Sequence, residues 1–122
     1  MVVGETSAAP SVLLVDADEH FRAMVRLHLE SQGLRVEEVA SAEEAEPHAT
    51  SSALVLVDLL TPDVDGVELR ARLAARVPGV PVRVWSSQRS RPSYVVEKTL
   101  GSLDRVLADH GLDRSGQADP RR

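Results

Sequence analysis

Four side chains in this sequence could act together on a phosphorus atom or a divalent cation: Asp16, Asp58, Ser86 and Lys98. Asp16 follows the apolar run S-V-L-L-V, Asp58 follows A-L-V-L-V, and Ser86 follows P-V-R-V-W. Lys98 stands shortly after Y-V-V. Carboxylates gathered with water suit a hard cation such as Mg²⁺. A carboxylate held by a cation can attack phosphorus and become an aspartyl phosphate. A hydroxyl and an ammonium can then hold the phosphoryl oxygens. Lys98 is also the single lysine of the chain, every other cationic side chain being arginine. An ammonium is a compact charge on a flexible stem, able to leave a carboxylate for a phosphoryl oxygen. A guanidinium is broad and planar and would crowd a site holding a metal.

These residues reach one another only if the runs before them are neighbouring strands. Residues 11–15, 34–39, 53–57, 81–85 and 94–96 read as five short strands, the third apolar throughout. Between the first two, Phe21, Met24, Val25, His28 and Leu29 recur at helical spacing over residues 18–32, and Gly33 marks the stop. Ser41-Ala-Glu-Glu44 is a capping box opening a short helix that Pro47 should limit. Residues 65–77 form a helix ended by Pro78-Gly79, and Leu100, Leu103, Val106 and Leu107 form a last one, closed by Gly111. Strands alternating with helices predict a parallel sheet covered on both faces. Ligands of such a sheet collect beyond the carboxyl ends of its strands, where all four chemical residues fall.

The 122 residues fit one domain. The expected division is a flexible leader (1–9), a globular domain (10–111) and a polar tail (112–122). Cysteine is absent, which excludes disulfides and thiolate metal sites and suits the cytoplasm. A net charge of −5 lacks the footprint of a nucleic-acid binder. No apolar run approaches the length needed to cross a membrane.

The constellation resembles the receiver domain of two-component response regulators over roughly residues 11–110. V-L-L-V-D16 with F-R-A-M-V-R-L-H-L carries part of the likeness. The most specific segment is L-V-L-V-D58-L-L-T-P62-D-V-D65-G66. The resemblance implies a flavodoxin-like fold, a doubly wound five-stranded parallel sheet of order 2-1-3-4-5. It implies that Asp58 is the phosphoacceptor, Ser86 the switch hydroxyl, Lys98 the active-site lysine and Tyr94 the aromatic switch residue. Mg²⁺ would be held by Asp16, Asp58 and the Leu60 backbone carbonyl. The donor would be a histidine kinase or phosphotransfer protein, the output a contact with a downstream protein, and no enzymatic turnover is expected.

The chain departs from that family in three places. Ala17 stands where a second acid usually binds the metal directly, so Mg²⁺ should bind weakly. Asp18 is one residue too late and should start the helix. Only S-S-Q-R-S-R-P-S separates Trp85 from Tyr94, whereas a crossover with a helix needs roughly ten to twelve residues. Eight extended residues reach about 26 Å against about 17 Å for a five-residue strand, so a loop can make the return. The fourth helix of the family should therefore be missing, leaving one face of the fourth and fifth strands bare. Arg83 fits such a face, and a homodimer or partner could dock there, with Trp85 either buried or anchoring the dimer. Lastly, Thr99 follows Lys98 where the family has proline, and Tyr94 precedes Lys98 by one residue too many. An alternative follows from Ala17 and the lost helix: a pseudo-receiver that binds partners without phosphorylation. D16-A-D18 also resembles the first motif of haloacid-dehalogenase-type phosphatases, but no further acidic strand end follows Lys98.

Overall fold

In the computed structural model, which describes residues 9–113, the chain alternates strand and helix: β1 (Ser11–Val15), α1 (Glu19–Ser31), β2 (Arg35–Val39), α2 (Ala42–Ala49), β3 (Leu54–Asp58), α3 (Gly66–Arg76), β4 (Val82–Ser86), β5 (Val96–Glu97) and α4 (Leu100–Asp109). All neighbouring strands are parallel and the order is β2-β1-β3-β4-β5, the flavodoxin-like arrangement expected.

Alternation along the strands sorts the core into two layers. Val12, Leu14, Leu54, Leu56 and Trp85 face α1 and α4, meeting Val25, Leu29, Leu103, Val106 and Leu107. Leu13, Val15, Val55, Val57 and Val82 face α2 and α3, meeting Ala42, Ala45, Ala49, Leu69 and Leu73. The central strands β1 and β3 are thus buried on both sides, which is why they are apolar at nearly every position.

The helix boundaries follow their capping residues. Asp18 caps α1 by accepting from the Phe21 N–H at 3.1 Å, and Gly33, at φ +85°, turns the chain out of it. Ser41 caps α2, accepting from the Glu44 N–H. Pro47 lies inside α2 rather than ending it, and the helix runs on to Ala49. Two more residues suffice to bury Ala49 fully, which offsets the lost backbone donor. Thr99 caps α4.

No helix forms between β4 and β5, so four helices rather than five pack on the sheet among the described residues. Three expectations about this region need correction. The fifth strand is Val96–Glu97, two residues later than read. Tyr94 precedes it and is 61% exposed. The face left by the missing helix is bare only in part: Val84, Ser86 and Val95 are buried, while Arg70, Val84, Ser93 and Tyr94 line a groove beside them. Arg83 points to the other face, where its guanidinium lies 3.7 Å from the Asp109 carboxylate at the end of α4 and 3.3 Å from His110, which caps that end. Trp85, two residues on, is buried on that same face. Leu112, the first residue of the expected tail, packs into the core, and residues 114–122 and 1–8 lie outside the described part.

Candidate functional site

β1 and β3 are adjacent, so Asp16 and Asp58 emerge side by side at the carboxyl edge of the sheet. Asp16 is 3% exposed and firmly tethered. Its N–H donates to the Val39 carbonyl at 3.1 Å, its carbonyl accepts from Arg22 at 2.6 Å, and its Oδ1 accepts from the Asp18 N–H at 2.9 Å. The remaining oxygen, Oδ2, is buried without a hydrogen bond of regular geometry, yet the Lys98 ammonium lies 2.6 Å away. That distance marks a strong ion pair, which compensates the oxygen by charge.

Asp58 is the last residue of β3, and its Oδ1 lies 3.5 Å from Lys98 Nζ. Burial pushes its carboxyl above the ordinary carboxylate value; Lys98 opposes this, Asp16 adds to it, and the Leu60 N–H, donating to the carboxylate, opposes it again. Lys98 arrives just past β5, its N–H bound to the Ser86 carbonyl at 2.9 Å, and its side chain is only 8% exposed. The sequence-predicted Asp16, Asp58 and Lys98 are therefore brought into one cluster. Ser86 is 1% exposed and joins it through the backbone; its Oγ accepts from the Gln88 N–H at 3.1 Å. Leu60 is exposed at the mouth, as is Ala17.

Asp58 carries a stability consequence. Its folded pKa is raised, so its contribution favours the fold below the unfolded value and is lost as pH rises through the folded one. At neutral pH the ionised carboxylate is a net cost. Asp58→Asn, which mimics the neutral acid, is expected to stabilise the protein by about 1 kcal/mol at neutral pH. The gain should vanish below the ordinary value of 3.8. Urea unfolding of both proteins at the two pH values measures it.

The sequence did not assign the site roles of Phe21 and Asp63, nor the close contact made by Gly66. Phe21 lies under Lys98, with Nζ 4.3 Å from the ring centroid. Asp63 caps α2, accepting from the Ala42 and Glu43 N–H groups at 2.9 Å each, while Asp65 caps α3. The two acids of P-D-V-D-G thus anchor two different helices. Gly66 touches the strand end itself: a Cβ there would lie 2.6 Å from the Asp58 carbonyl oxygen. Only the paired acids and the Asp-Gly step gave a signal for these roles.

The donor set fits a divalent cation that keeps much of its water: two carboxylates, one of them with a buried oxygen that meets only a cation. Among the described residues no group of three or more His, Cys, Asp or Glu side chains is placed to hold a metal ion.

Residues 12–108 match the response regulator receiver domain. The C4-dicarboxylate transport transcriptional regulatory protein DctD of Rhizobium meliloti is 32% identical over 94% of this chain, which covers 25% of DctD. The chain spans about a quarter to less than half of the curated relatives it matches. The non-phosphorylated HemR receiver domain from Leptospira biflexa is 28% identical, covering 67% of this chain and 68% of its own, with a TM-score of 0.61. Response regulator TrrA from Thermotoga maritima, in complex with Mg²⁺-BeF, shares the fold at a TM-score of 0.71 and 18% identity, over 83% of this chain and 98% of its own. No helix among the described residues is long and apolar enough to cross a membrane. With the sheet order, the paired carboxylates and the buried lysine in place, the chain belongs to the response regulator receiver domain family, a family of two-component signalling modules.

Proposed function

We propose that this receiver accepts a phosphoryl group on Asp58 from a histidine kinase or phosphotransfer protein and signals by contact with a downstream protein. The observation that carries the reading is the largely buried cluster of Asp16, Asp58 and Lys98, with ammonium-to-carboxylate distances of 2.6 and 3.5 Å. An Asp58 oxygen forms the new bond to phosphorus as the bond from phosphorus to the donor breaks and the donor leaves with that electron pair. Lys98 moves from its carboxylates to a phosphoryl oxygen, and the Ser86 hydroxyl donates to another. Asp16, Asp58 and the Leu60 carbonyl would hold Mg²⁺, which when bound supplies positive charge against the oxygens of the transferring group. Ala17 contributes no ligand, so these residues hold the cation more weakly than a site with one further carboxylate.

Downstream contact is assigned to the β4–β5 edge. Arg70, Arg83, Val84, Ser93, Tyr94 and Val96 line a groove of about 370 Å³ there, and Tyr94 stands exposed on its rim. A second copy of the chain is the alternative occupant of this edge.

Two features favour a pseudo-receiver instead: Ala17 leaves the site one carboxylate short, and no helix forms between β4 and β5. Intact mass after incubation with acetyl phosphate and Mg²⁺ separates the readings. One phosphoryl group on the wild type and none on Asp58→Asn is the expected result. An unchanged wild-type mass at every donor and Mg²⁺ concentration would leave the pseudo-receiver.

A further inference from the structure

Lys98 is not held by carboxylates alone. An ammonium has three donors and no acceptor. Asp16 and Asp58 meet two of its sides at 2.6 and 3.5 Å. The face of the Phe21 ring, 4.3 Å from Nζ to the centroid, meets another. This lies well inside the range in which a ring quadrupole attracts a cation, and the attraction is strongest where water is excluded. Lys98 is largely shielded in this way, its side chain being only 8% exposed.

The ring is itself fixed. Trp85, 2% exposed, meets it edge-on at 5.4 Å and 66°. The Asp18 carboxylate accepts from the Phe21 N–H and sets where the first turn of α1 begins. Asp18, displaced from any metal-binding position, thus determines where the ring stands. We infer that Phe21 is a positioning residue: its ring face seats the Lys98 ammonium on the Asp16 side of the site and leaves Asp58 the freer carboxylate. Without the ring, the ammonium settles between the two carboxylates and ties up the oxygen that must attack phosphorus. That last consequence rests on the receiver reading; the seating of Lys98 does not.

The single lysine makes the test direct. Protein labelled with ¹³Cε-lysine gives one side-chain resonance. In the wild type the ring should shift the Lys98 ε-methylene protons upfield. In Phe21→Leu they should move to the position of a free lysine, and in Phe21→Tyr they should stay. Phosphoryl incorporation at Asp58 should slow by about threefold to thirtyfold in Phe21→Leu and recover in Phe21→Tyr. Phe21→Met, of similar reach and without a ring, carries the test if the leucine variant does not fold. A folded non-aromatic variant with an unmoved Lys98 resonance overturns the inference, as does a tyrosine variant that behaves like leucine. A wild type that takes no phosphoryl group, while its Lys98 resonance follows the ring, overturns the receiver reading alone.

Discussion

Replacing Lys98 with methionine is expected to destabilise the fold by about 3 kcal/mol at neutral pH. The side chains of Lys98 and Asp16 are 8% and 4% exposed, so solvent screens the pair little. Methionine fills the stem's volume but leaves the buried Asp16 Oδ2 with no compensating charge. The cost comes from the carboxylate left behind more than from the lost attraction, because two desolvated charges roughly cancel their own attraction. It follows that Asp16→Asn combined with Lys98→Met should recover more than half of the loss. Urea unfolding of the single variants and the double variant closes the cycle. A double variant no more stable than Lys98→Met would show that the lysine stabilises by packing, not by charge.

Gly66→Ala is expected to cost about 1–3 kcal/mol through overpacking. The added Cβ would fall 2.6 Å from the Asp58 carbonyl oxygen and 2.8 Å from Leu59 Cα. Both neighbours are backbone, so no flexible side chain can yield. The start of α3 must then retreat from the end of β3, taking with it the 2.9 Å hydrogen bond from the Gly66 N–H to the Leu59 carbonyl. Because the clash falls on Asp58 itself, phosphoryl incorporation should fall along with stability. Gly101→Ala is the control. It lies in α4 with nothing within 4 Å of its Cβ position, and should stabilise by about 0.5–1 kcal/mol. Thermal unfolding of both variants gives the contrast, and equal effects of the two substitutions would refute the clash.

The strands at the centre of the sheet were legible because burial on both faces leaves an uninterrupted apolar run, as in L-V-L-V before Asp58. The missing helix was legible from chain length alone, since eight residues cannot hold a crossover helix. What failed were the places where tertiary contact overrides local pattern. Tyr94-Val-Val96 has strand-like residues, yet Val95 donates back to the Pro92 carbonyl in a turn, and pairing begins only at Val96. Arg83 looked like a solvent-facing residue, but a partner on α4, remote in sequence, accounts for it. In the site, Asp16, Asp58 and Lys98 were legible as residues following strands. Phe21 was not, because at helical spacing a ring that seats a cation and a ring that fills a core have the same pattern.

The brevity of β5 bears on how the domain comes apart. β3 and β4 are paired over four residues, β4 and β5 over two. Cooperative local opening begins where the fewest hydrogen bonds and apolar contacts must be broken. The segment from residue 87 to β5 is therefore the least protected part of the sheet, and amide hydrogen exchange there should far outpace that in β1 and β3. Lys98 sits directly behind that segment, its own N–H bound to the Ser86 carbonyl. An excursion that peels β5 from β4 carries the ammonium out of the carboxylate pair while the central strands stay closed. The site can thus lose its internal cation on a timescale set by two residues of sheet, far faster than the whole domain unfolds.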